Sequence, residues 1–253
     1  MTMRITLLGT GTSLPDPERV QSGILVEDVD KSFLFDIGSG ILHRLVQTGI
    51  DLKSLDSVFI SHFHIDHSSD FMTLYQTLWL SAFDKTLHLY APPPAREWFR
   101  TLSEVVFPYL RGKVNVEVTE LRERDSVKAG LVTVICRKTL HGTMDARAFR
   151  LEQAGRSLVI SGDTAPCREV IELATGADVL VHECNWLDGK HMKDVHTSPT
   201  QLAELVKQAR PKKLVLVHVF PEVVLNIEKV MSTIKSDVVT EVVLGEDMMT
   251  FNL

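Results

Sequence analysis

The sequence predicts a mixed α/β protein in which two β-sheets pack face to face and helices cover both outer faces. Short apolar segments rich in Val, Ile, Leu and Phe alternate with longer amphipathic segments along the whole chain. A sandwich accommodates this order because each sheet can bury one face against the other sheet and one against helices. With 253 residues, 44% of them hydrophobic and 24% charged, the chain is long enough for one substantial core. We therefore expect a single domain over residues 1–253.

The first half of the chain begins with strands and then alternates strands with helices. We predict strands at residues 3–9, 22–28, 32–38 and 57–61, and helices at residues 41–48, 71–82 and 95–106. Gly49 follows the first helix at a position that favours a C-cap. Three prolines, residues 92–94, precede the third helix, where proline suits a start and not an interior.

The second half returns to strands before alternating again. We predict strands at residues 113–120, 130–141, 148–153, 157–163, 177–183, 213–218 and 241–245. Helices are predicted near residues 166–174 and over residues 198–208 and 221–235. No linker, repeat or low-complexity stretch interrupts this pattern.

Bulk properties favour a cytoplasmic protein. No apolar run reaches the roughly 18 residues that a membrane helix needs, and the first residues turn to Gly and Thr too soon for a signal peptide. The three cysteines are far apart, which argues against a disulfide framework. The net charge of −6 argues against a globally basic nucleic-acid-binding surface but leaves room for a local basic patch.

A cluster of three His and one Asp follows the predicted strand at residues 57–61. His62, His64, Asp66 and His67 form the pattern HxHxDH, which chance would produce in about one such chain in a thousand. Imidazole nitrogen and carboxylate oxygen are ligands for divalent zinc, iron and manganese, and one loop can direct its side chains to two ions. The pattern therefore predicts a metal site.

Further ligand-type residues follow other apolar strands. They are His141, Asp163, His182, Glu183 and His218. A single His after a strand is more often a hydrogen-bonded loop residue than a ligand. Neighbouring strand ends converge at one edge of a sheet, however, so several such residues beside HxHxDH indicate one site.

The ordered series of HxHxDH, His141 in TLHGT, Asp163 in SGDT and His218 in LVLVH resembles the metal ligands of the metallo-β-lactamase superfamily. Within it, the chain most resembles the ribonuclease Z-like phosphodiesterases. This narrower resemblance rests on LGTGTSLP with Arg19 following, on FDIGSG, SGDT and VHEC, and on HTS at residues 196–198. It covers nearly the whole chain and implies the four-layer αββα fold.

The resemblance also implies a role for each residue. One metal ion would be held by His62, His64 and His141, and a second by Asp66, His67 and His218. Asp163 would bridge both ions, and a hydroxide between them would attack phosphorus. Asp66 could also orient that nucleophile, while His196, polarised by Glu183, would protonate the leaving oxygen. Zinc is the expected metal, with manganese and iron as alternatives.

Two residues have competing interpretations. The segment HTSP precedes a predicted helix, so residues 197 and 198 could simply cap it and His196 would then be a surface residue. Asp36 could orient a metal ligand or could serve only the Gly-rich turn that follows it.

The chain departs from the transfer RNA-processing members of this family in two places. Those proteins often carry an RNA-gripping arm between the third His and the bridging Asp, but His141 and Asp163 are only 22 positions apart, enough for one hairpin. The loop after HxHxDH reads SSDFMTL, where the processing enzymes tend to have Gly-rich sequence. These departures favour a smaller phosphodiester, such as a cyclic nucleotide or a nucleic-acid end.

We therefore expect a dinuclear metal-dependent phosphodiesterase. The alternatives are a transfer RNA 3′-end processing ribonuclease and a hydrolase of a thioester, lactone or sulfate ester. A redox protein like the diiron flavoproteins is less favoured, because that pattern has Glu where this chain has His64. A non-catalytic binding module is also disfavoured, since every ligand position is filled. The sequence predicts no membrane partner and is compatible with a homodimer.

Overall fold

The computed structural model describes residues 3–235 and 239–253 and confirms the predicted sandwich of two sheets between helices. The first sheet contains seven strands in the order β14-β1-β2-β3-β4-β5-β6. Their bounds are β1 Arg4–Gly9, β2 Gly23–Asp28, β3 Lys31–Phe35, β4 Leu55–Phe59, β5 Thr86–Ala91, β6 Asn115–Glu120 and β14 Thr250–Asn252. Strands β3 to β6 are parallel, and the remaining neighbours are antiparallel.

The second sheet has the same design, with the order β13-β12-β11-β10-β9-β8-β7. Its bounds are β7 Ser126–Ala129, β8 Val132–Lys138, β9 Arg147–Gln153, β10 Arg156–Ile160, β11 Val179–Glu183, β12 Lys213–Val217 and β13 Glu241–Leu244. Strands β10 to β13 are parallel. Strand β8 runs in the same direction as β10, because both are antiparallel to β9.

Helices cover the outer faces of both sheets. They are α1 Ile41–Gln47, α2 Ile65–Ser68, α3 Phe71–Leu80, α4 Ala95–Arg100, α5 Arg168–Ala174, α6 Pro199–Ala209, α7 Pro221–Leu225 and α8 Ile227–Lys235. A π-helical segment, Thr101–Val106, continues α4, and short 3₁₀ turns occupy Leu52–Ser54 and Pro108–Leu110. Among the described residues, no helix is both long and apolar enough to cross a lipid bilayer.

Side chains that alternate along each strand separate the core between the sheets from the cores beneath the helices. In β3, Phe33 and Phe35 point into the core between the sheets, whereas Leu34 points toward the helices on the first sheet. In β11, Val179 and Val181 likewise enter the central core, while Leu180 joins the core under α5 and α6. Successive strand residues face opposite sides, so each sheet is apolar on both faces.

Most predicted elements lie where the sequence pattern places them, with end positions shifted by a few residues. Gly49, with φ of 76°, follows α1 as predicted for a helix C-terminus. The single helix predicted over residues 221–235 is wrong, because the chain breaks at Asn226 between α7 and α8. The Asn226 amide donates to the Glu222 carbonyl at 2.8 Å, a local bond that competes with helix continuation.

Strands β5, β7 and β14 were not predicted. β7 and β14 are too short, at four and three residues, for a clear alternation pattern. β5 does alternate between buried and half-buried positions, but His88 and Tyr90 dilute its apolar signal.

Candidate metal centre

The loop after β4 directs the HxHxDH side chains to one point at the carboxyl end of the first sheet. His62, Asp66 and His67 are buried, while His64 stands at the N-terminus of α2 and is partly accessible. Backbone bonds fix this loop: the Asp66 carbonyl accepts from Ser22 N at 3.1 Å, and the His67 carbonyl accepts from Ile37 N at 2.8 Å. Gly38 makes this approach feasible, because a Cβ there would lie 2.0 Å from the Asp66 carbonyl oxygen.

The second sheet supplies the other predicted ligands from the ends of β8, β10 and β12. His141, Asp163 and His218 are all buried and meet the HxHxDH loop across the junction between the sheets. The ligand-type atoms fall into two main groups, each with its atoms within 4.8 Å of one another: His62, His64, His141 and Asp163, and Asp66, His67 and His218. The structure thus brings together the residues of each set that the resemblance implies, with Asp163 grouped with the first set, and their binding of metal stays a prediction.

Asp163 faces both groups through different oxygens. Its Oδ2 lies 3.9 Å from His62 Nε2 and 3.7 Å from His141 Nε2. Its Oδ1 lies 3.3 Å from His67 Nε2 and 3.5 Å from His218 Nε2. This division suits a carboxylate placed between two cations.

Hydrogen bonds on the far side of the rings aim the imidazole lone pairs inward. His67 Nδ1 donates to Asp36 Oδ2 at 2.8 Å, and His141 Nδ1 donates to the Val195 carbonyl at 2.8 Å. His62 Nδ1 lies 3.0 Å from Ser61 Oγ, which itself donates to Asp36. In each case the Nδ1–H bond turns Nε2 toward the centre, where His64 Nδ1 lies 2.9 Å from His62 Nε2 and 3.1 Å from His141 Nε2.

Asp36 therefore orients His67, one of the two roles that the sequence left open. It also accepts from Ser61 N at 2.6 Å, which anchors the start of the HxHxDH loop. Its φ of 59° lies in the left-handed region, a conformation that Asp tolerates better than most residues. The turn-forming role and the orienting role are thus combined in one residue.

Glu183 and His196 form a bonded pair beside the two groups. His196 Nδ1 lies 2.8 Å from Glu183 Oε1, and the carboxylate also accepts from Thr164 N at 2.6 Å and Thr197 N at 3.2 Å. The His196 ring lies 5.0 Å from that of His141 and 5.6 Å from that of His218. Ser198 begins α6 through a capping box with Gln201, so the capping interpretation holds for Ser198 while His196 faces the centre.

Comparison with known proteins identifies this arrangement. The Beta-lactamase superfamily domain matches residues 32–219, about three quarters of the chain. The chain belongs to the metallo-β-lactamase superfamily. The Ribonuclease Z of Methanosarcina acetivorans is 27% identical over 99% of this chain and 98% of that protein. The Ribonuclease Z of Mycobacterium sp. strain KMS is 30% identical over 87% of this chain and 85% of that protein. The chain is thus a ribonuclease Z-like superfamily member and a metal-dependent hydrolase.

Solved structures share the metallo-β-lactamase fold over nearly the whole chain. The metallo-β-lactamase fold protein YhfI from Bacillus subtilis superposes with a TM-score of 0.87 at 24% identity, covering 100% of both chains. The short form of human tRNase Z gives 0.78 at 24% identity, covering 98% of both chains. Zn²⁺-bound PqqB from Methylobacterium extorquens gives 0.76 at 14% identity, covering 99% of this chain and 100% of that one.

The electrostatics of the superfamily site suit divalent cations. Burial lowers the pKa of His62, His64 and His141, so their rings are neutral and offer lone pairs at pH 7. Burial would raise the pKa of Asp163, but the surrounding His218, His67 and His62 hold it well below its usual value. Burial also lowers the pKa of His67, but Asp163 and Asp36 overcome this and raise it.

Two buried atoms at the centre lack a well-aligned hydrogen-bond partner among the described residues. They are His67 Nε2 and Asp163 Oδ1, which lie 3.3 Å apart. A metal ion bound by both atoms would satisfy them together. The donor set therefore fits the metal that the superfamily implies.

His196 has a second geometric option. It forms a third group with Asp163 and His218, again with ligand-type atoms within 4.8 Å of one another. The sequence predicted His196 as a proton donor and not as a ligand. Its bond to Glu183 through Nδ1 leaves Nε2 facing the centre in either role.

Sequence reasoning missed two orienting groups. Asn185, directly after VHEC, approaches His218 Nδ1, and its position just beyond a strand end could have suggested a site role. The Val195 carbonyl orients His141, but a backbone group leaves no signal in the residue pattern. His182 is fully buried and points away from the groups, with its Nδ1 donating to the Glu183 carbonyl at 2.7 Å.

Proposed function

We propose that this hydrolase is a dinuclear phosphodiesterase with zinc as its expected metal. The observation that carries the proposal is the Glu183–His196 pair placed beside two ligand groups, with Asp163 lying between them. Phosphodiester hydrolysis leaves an alkoxide, which departs poorly unless it receives a proton, and general acid help is worth roughly 10²- to 10⁴-fold. A thioester hydrolase has less need for such a donor, because its leaving group is a thiolate.

The two groups would each hold one cation, with His62, His64 and His141 on one side and Asp66, His67 and His218 on the other. When bound, the cations would polarise the phosphoryl group and supply an activated water. Asp163 would hold the two ions at a fixed spacing, and Asp66 would orient the attacking water. Zinc is supported by the His-rich donor set and by the zinc in PqqB, while manganese or iron would also accept these ligands.

His196 would deliver the proton. Burial lowers the pKa of His196, so a protonated ring needs the contact with Glu183, which would stabilise it. As the bond from phosphorus to the leaving oxygen breaks, the protonated ring would pass its proton to the departing oxygen and become neutral. Thr164 N donates to Glu183, and this bond fixes the position of the pair relative to the adjacent Asp163.

The purified protein, supplied with zinc or manganese, should hydrolyse bis(p-nitrophenyl) phosphate. Asp163→Ala should abolish this activity, while Asp84→Ala, which alters an exposed carboxylate just before β5, should leave it unchanged. Metal analysis of the wild type should give two ions per chain. An active Asp163→Ala variant, or a metal-loaded wild type inert on phosphodiesters but active on thioesters, lactones or sulfate esters, would overturn the proposal.

Transfer RNA 3′-end processing is the second candidate, because the relatives are named Ribonuclease Z. Against it, β9 and β10 form a tight hairpin that occupies much of the interval between His141 and Asp163, which leaves no room for an RNA-gripping arm there. Accurate cleavage of a precursor transfer RNA at its 3′ end would favour this candidate over a small phosphodiester. The cytoplasmic location and a homodimeric state stay predictions.

A further inference from the structure

A cleft opens beside His196. It has a volume of about 680 Å³, and its lining includes Trp186, Lys190, His191, Lys193 and His196 together with Asp188 and Asp194. Drug-sized ligands occupy pockets of about 300–1,000 Å³, so the cleft is large enough for a mononucleotide. Because His196 is the proposed proton donor, the group that leaves with the protonated oxygen must lie on this side.

Aromatic rings lead from the metal centre into the cleft. The Trp186 ring lies 4.9 Å from His196, at a steep angle of 81°. On the other side, Trp186 stacks with the exposed His191 ring at 4.6 Å and 21°. A nucleobase can stack on such a pair of rings, because every base has a flat aromatic face.

Two cationic side chains line the cleft. Lys190 and Lys193 are exposed, and neither makes an ion pair with an acidic residue in the part of the chain that the structure describes. The nearby Asp188 is occupied, since it accepts from Ser198 Oγ at 2.6 Å and from Thr200 N at 3.0 Å. Both lysines are therefore available for an anionic group such as a phosphate.

The loop that carries these residues is fixed at both ends. Asp188 ties its start to α6, and the Asp194 carbonyl accepts from Gly142 N at 2.6 Å. His191 Nε2 donates to the Leu187 carbonyl at 2.7 Å, which closes the loop on itself. The aromatic pair and the lysines thus belong to one loop whose conformation is held by hydrogen bonds.

We propose that the leaving group is a nucleotide, so that the substrate is a short 5′-phosphorylated oligonucleotide cleaved at the bond between phosphorus and O3′. The base continues the Trp186–His191 stack, and the 5′-phosphate binds Lys190 and Lys193. Water adds to phosphorus, the P–O3′ bond breaks, and O3′ takes the proton from His196. This inference rests on the proposed function and gives it a substrate class.

Binding can be tested without turnover by calorimetric titration of the zinc-loaded protein with adenosine 5′-monophosphate, adenosine, ribose 5-phosphate and inorganic phosphate. Adenosine 5′-monophosphate should bind most tightly. Trp186→Ala should weaken it roughly tenfold, because the ring stack that the base joins is lost. Trp186→Phe should weaken it less, and Trp79→Ala, which alters a half-buried ring elsewhere, should have no effect.

The lysines are tested by substituting both with alanine. This change should remove the preference for adenosine 5′-monophosphate over adenosine, whereas Lys128→Ala, on the exposed strand β7, should preserve it. If the preference survives the double substitution, the phosphate binds elsewhere and the lysine assignment is wrong. If the four probes bind equally, or if Trp186→Ala leaves binding unchanged, the cleft does not take a nucleotide.

Kinetics on the 5′-phosphorylated dinucleotide pApA separate binding from a purely structural role of Trp186. A cleft residue should raise KM about tenfold with little change in kcat. A loss in kcat alone would mean that Trp186 only positions His196, and the inference would fail. Hydrolysis of bis(p-nitrophenyl) phosphate without nucleotide binding would overturn this inference alone and leave the proposed function standing.

Discussion

Asn185 faces the outer nitrogen of His218, with its amide Nδ2 placed 3.3 Å from His218 Nδ1. The Asn185 Oδ1 is buried and has no partner among the described residues. Turning the amide round would let Oδ1 accept the Nδ1–H of His218, and amide orientation is assigned from such networks. Asn185 then directs His218 Nε2 to the metal centre, as Asp36 does for His67.

Asn185→Ala should therefore weaken metal binding by about 10- to 100-fold, the usual effect of removing a group that orients a ligand. Asn185→Asp should retain or strengthen it, because a carboxylate is a better acceptor. Zinc affinity measured by chelator competition would check this. Asn226→Ala, on the outer helix layer, serves as control, and equal affinities for all the proteins would contradict the assignment.

His196→Ala should lower kcat according to the leaving group. For a dinucleotide the expected loss is about 10²- to 10⁴-fold, because an alkoxide needs the proton that His196 supplies. For bis(p-nitrophenyl) phosphate the loss should be much smaller, since p-nitrophenolate leaves unaided. Equal losses on both substrates, or a lower zinc content in the variant, would instead make His196 a metal ligand.

Gly38→Ala should disrupt the HxHxDH loop. The added Cβ would lie 2.0 Å from the Asp66 carbonyl oxygen, a distance that forces the backbone apart. We expect a stability loss of about 3 kcal/mol, at the upper end of the usual range for overpacking in a tight core, together with weaker zinc binding. Gly189→Ala is the matched control, because its nearest contact is an ordinary 3.5 Å to His191. Similar melting temperatures for both variants would refute the steric argument.

His182 should make the folded state sensitive to acid. Burial lowers its pKa to about 4, below the value near 6.5 expected in the unfolded chain. The unfolded state therefore binds more protons as pH falls from 6.5 to 4, and stability should drop by about 3 kcal/mol over that window. His182→Asn keeps a donor for the Glu183 carbonyl, and its unfolding free energy should fall less steeply with pH. Parallel curves for wild type and variant would contradict this.

The sequence singled out the ligand-type residues that the structure brings together, whereas their binding of metal stays a prediction. Several of them stand within three residues of the end of an apolar strand, and parallel strands bring such positions to one edge. His62, Asp163 and His218 are placed in this way by β4, β10 and β12. Strand pairing is a long-range property, however, so the short edge strands β7 and β14 left no local signal.

Other features depend on contacts that no local pattern encodes. The break at Asn226 arises from a single side-chain bond to the Glu222 carbonyl. The cleft beside His196 exists because the loop after Glu183 folds back, stacking Trp186 on His191. The sequence gives no sign that Trp186 and His191 belong to a site, because the path of the loop, and not their spacing, brings them together.

The division of the ligand-type residues between the sheets has a mechanical consequence. The HxHxDH loop belongs to the first sheet, whereas His141, Asp163 and His218 belong to the second. A cation bound there would cross-link the two sheets. Its binding would stabilise only a chain in which the two sheets have already packed together. Removing the metal should therefore weaken the packing between the two sheets before either sheet unfolds. Neither half of the chain expressed alone should bind the ion.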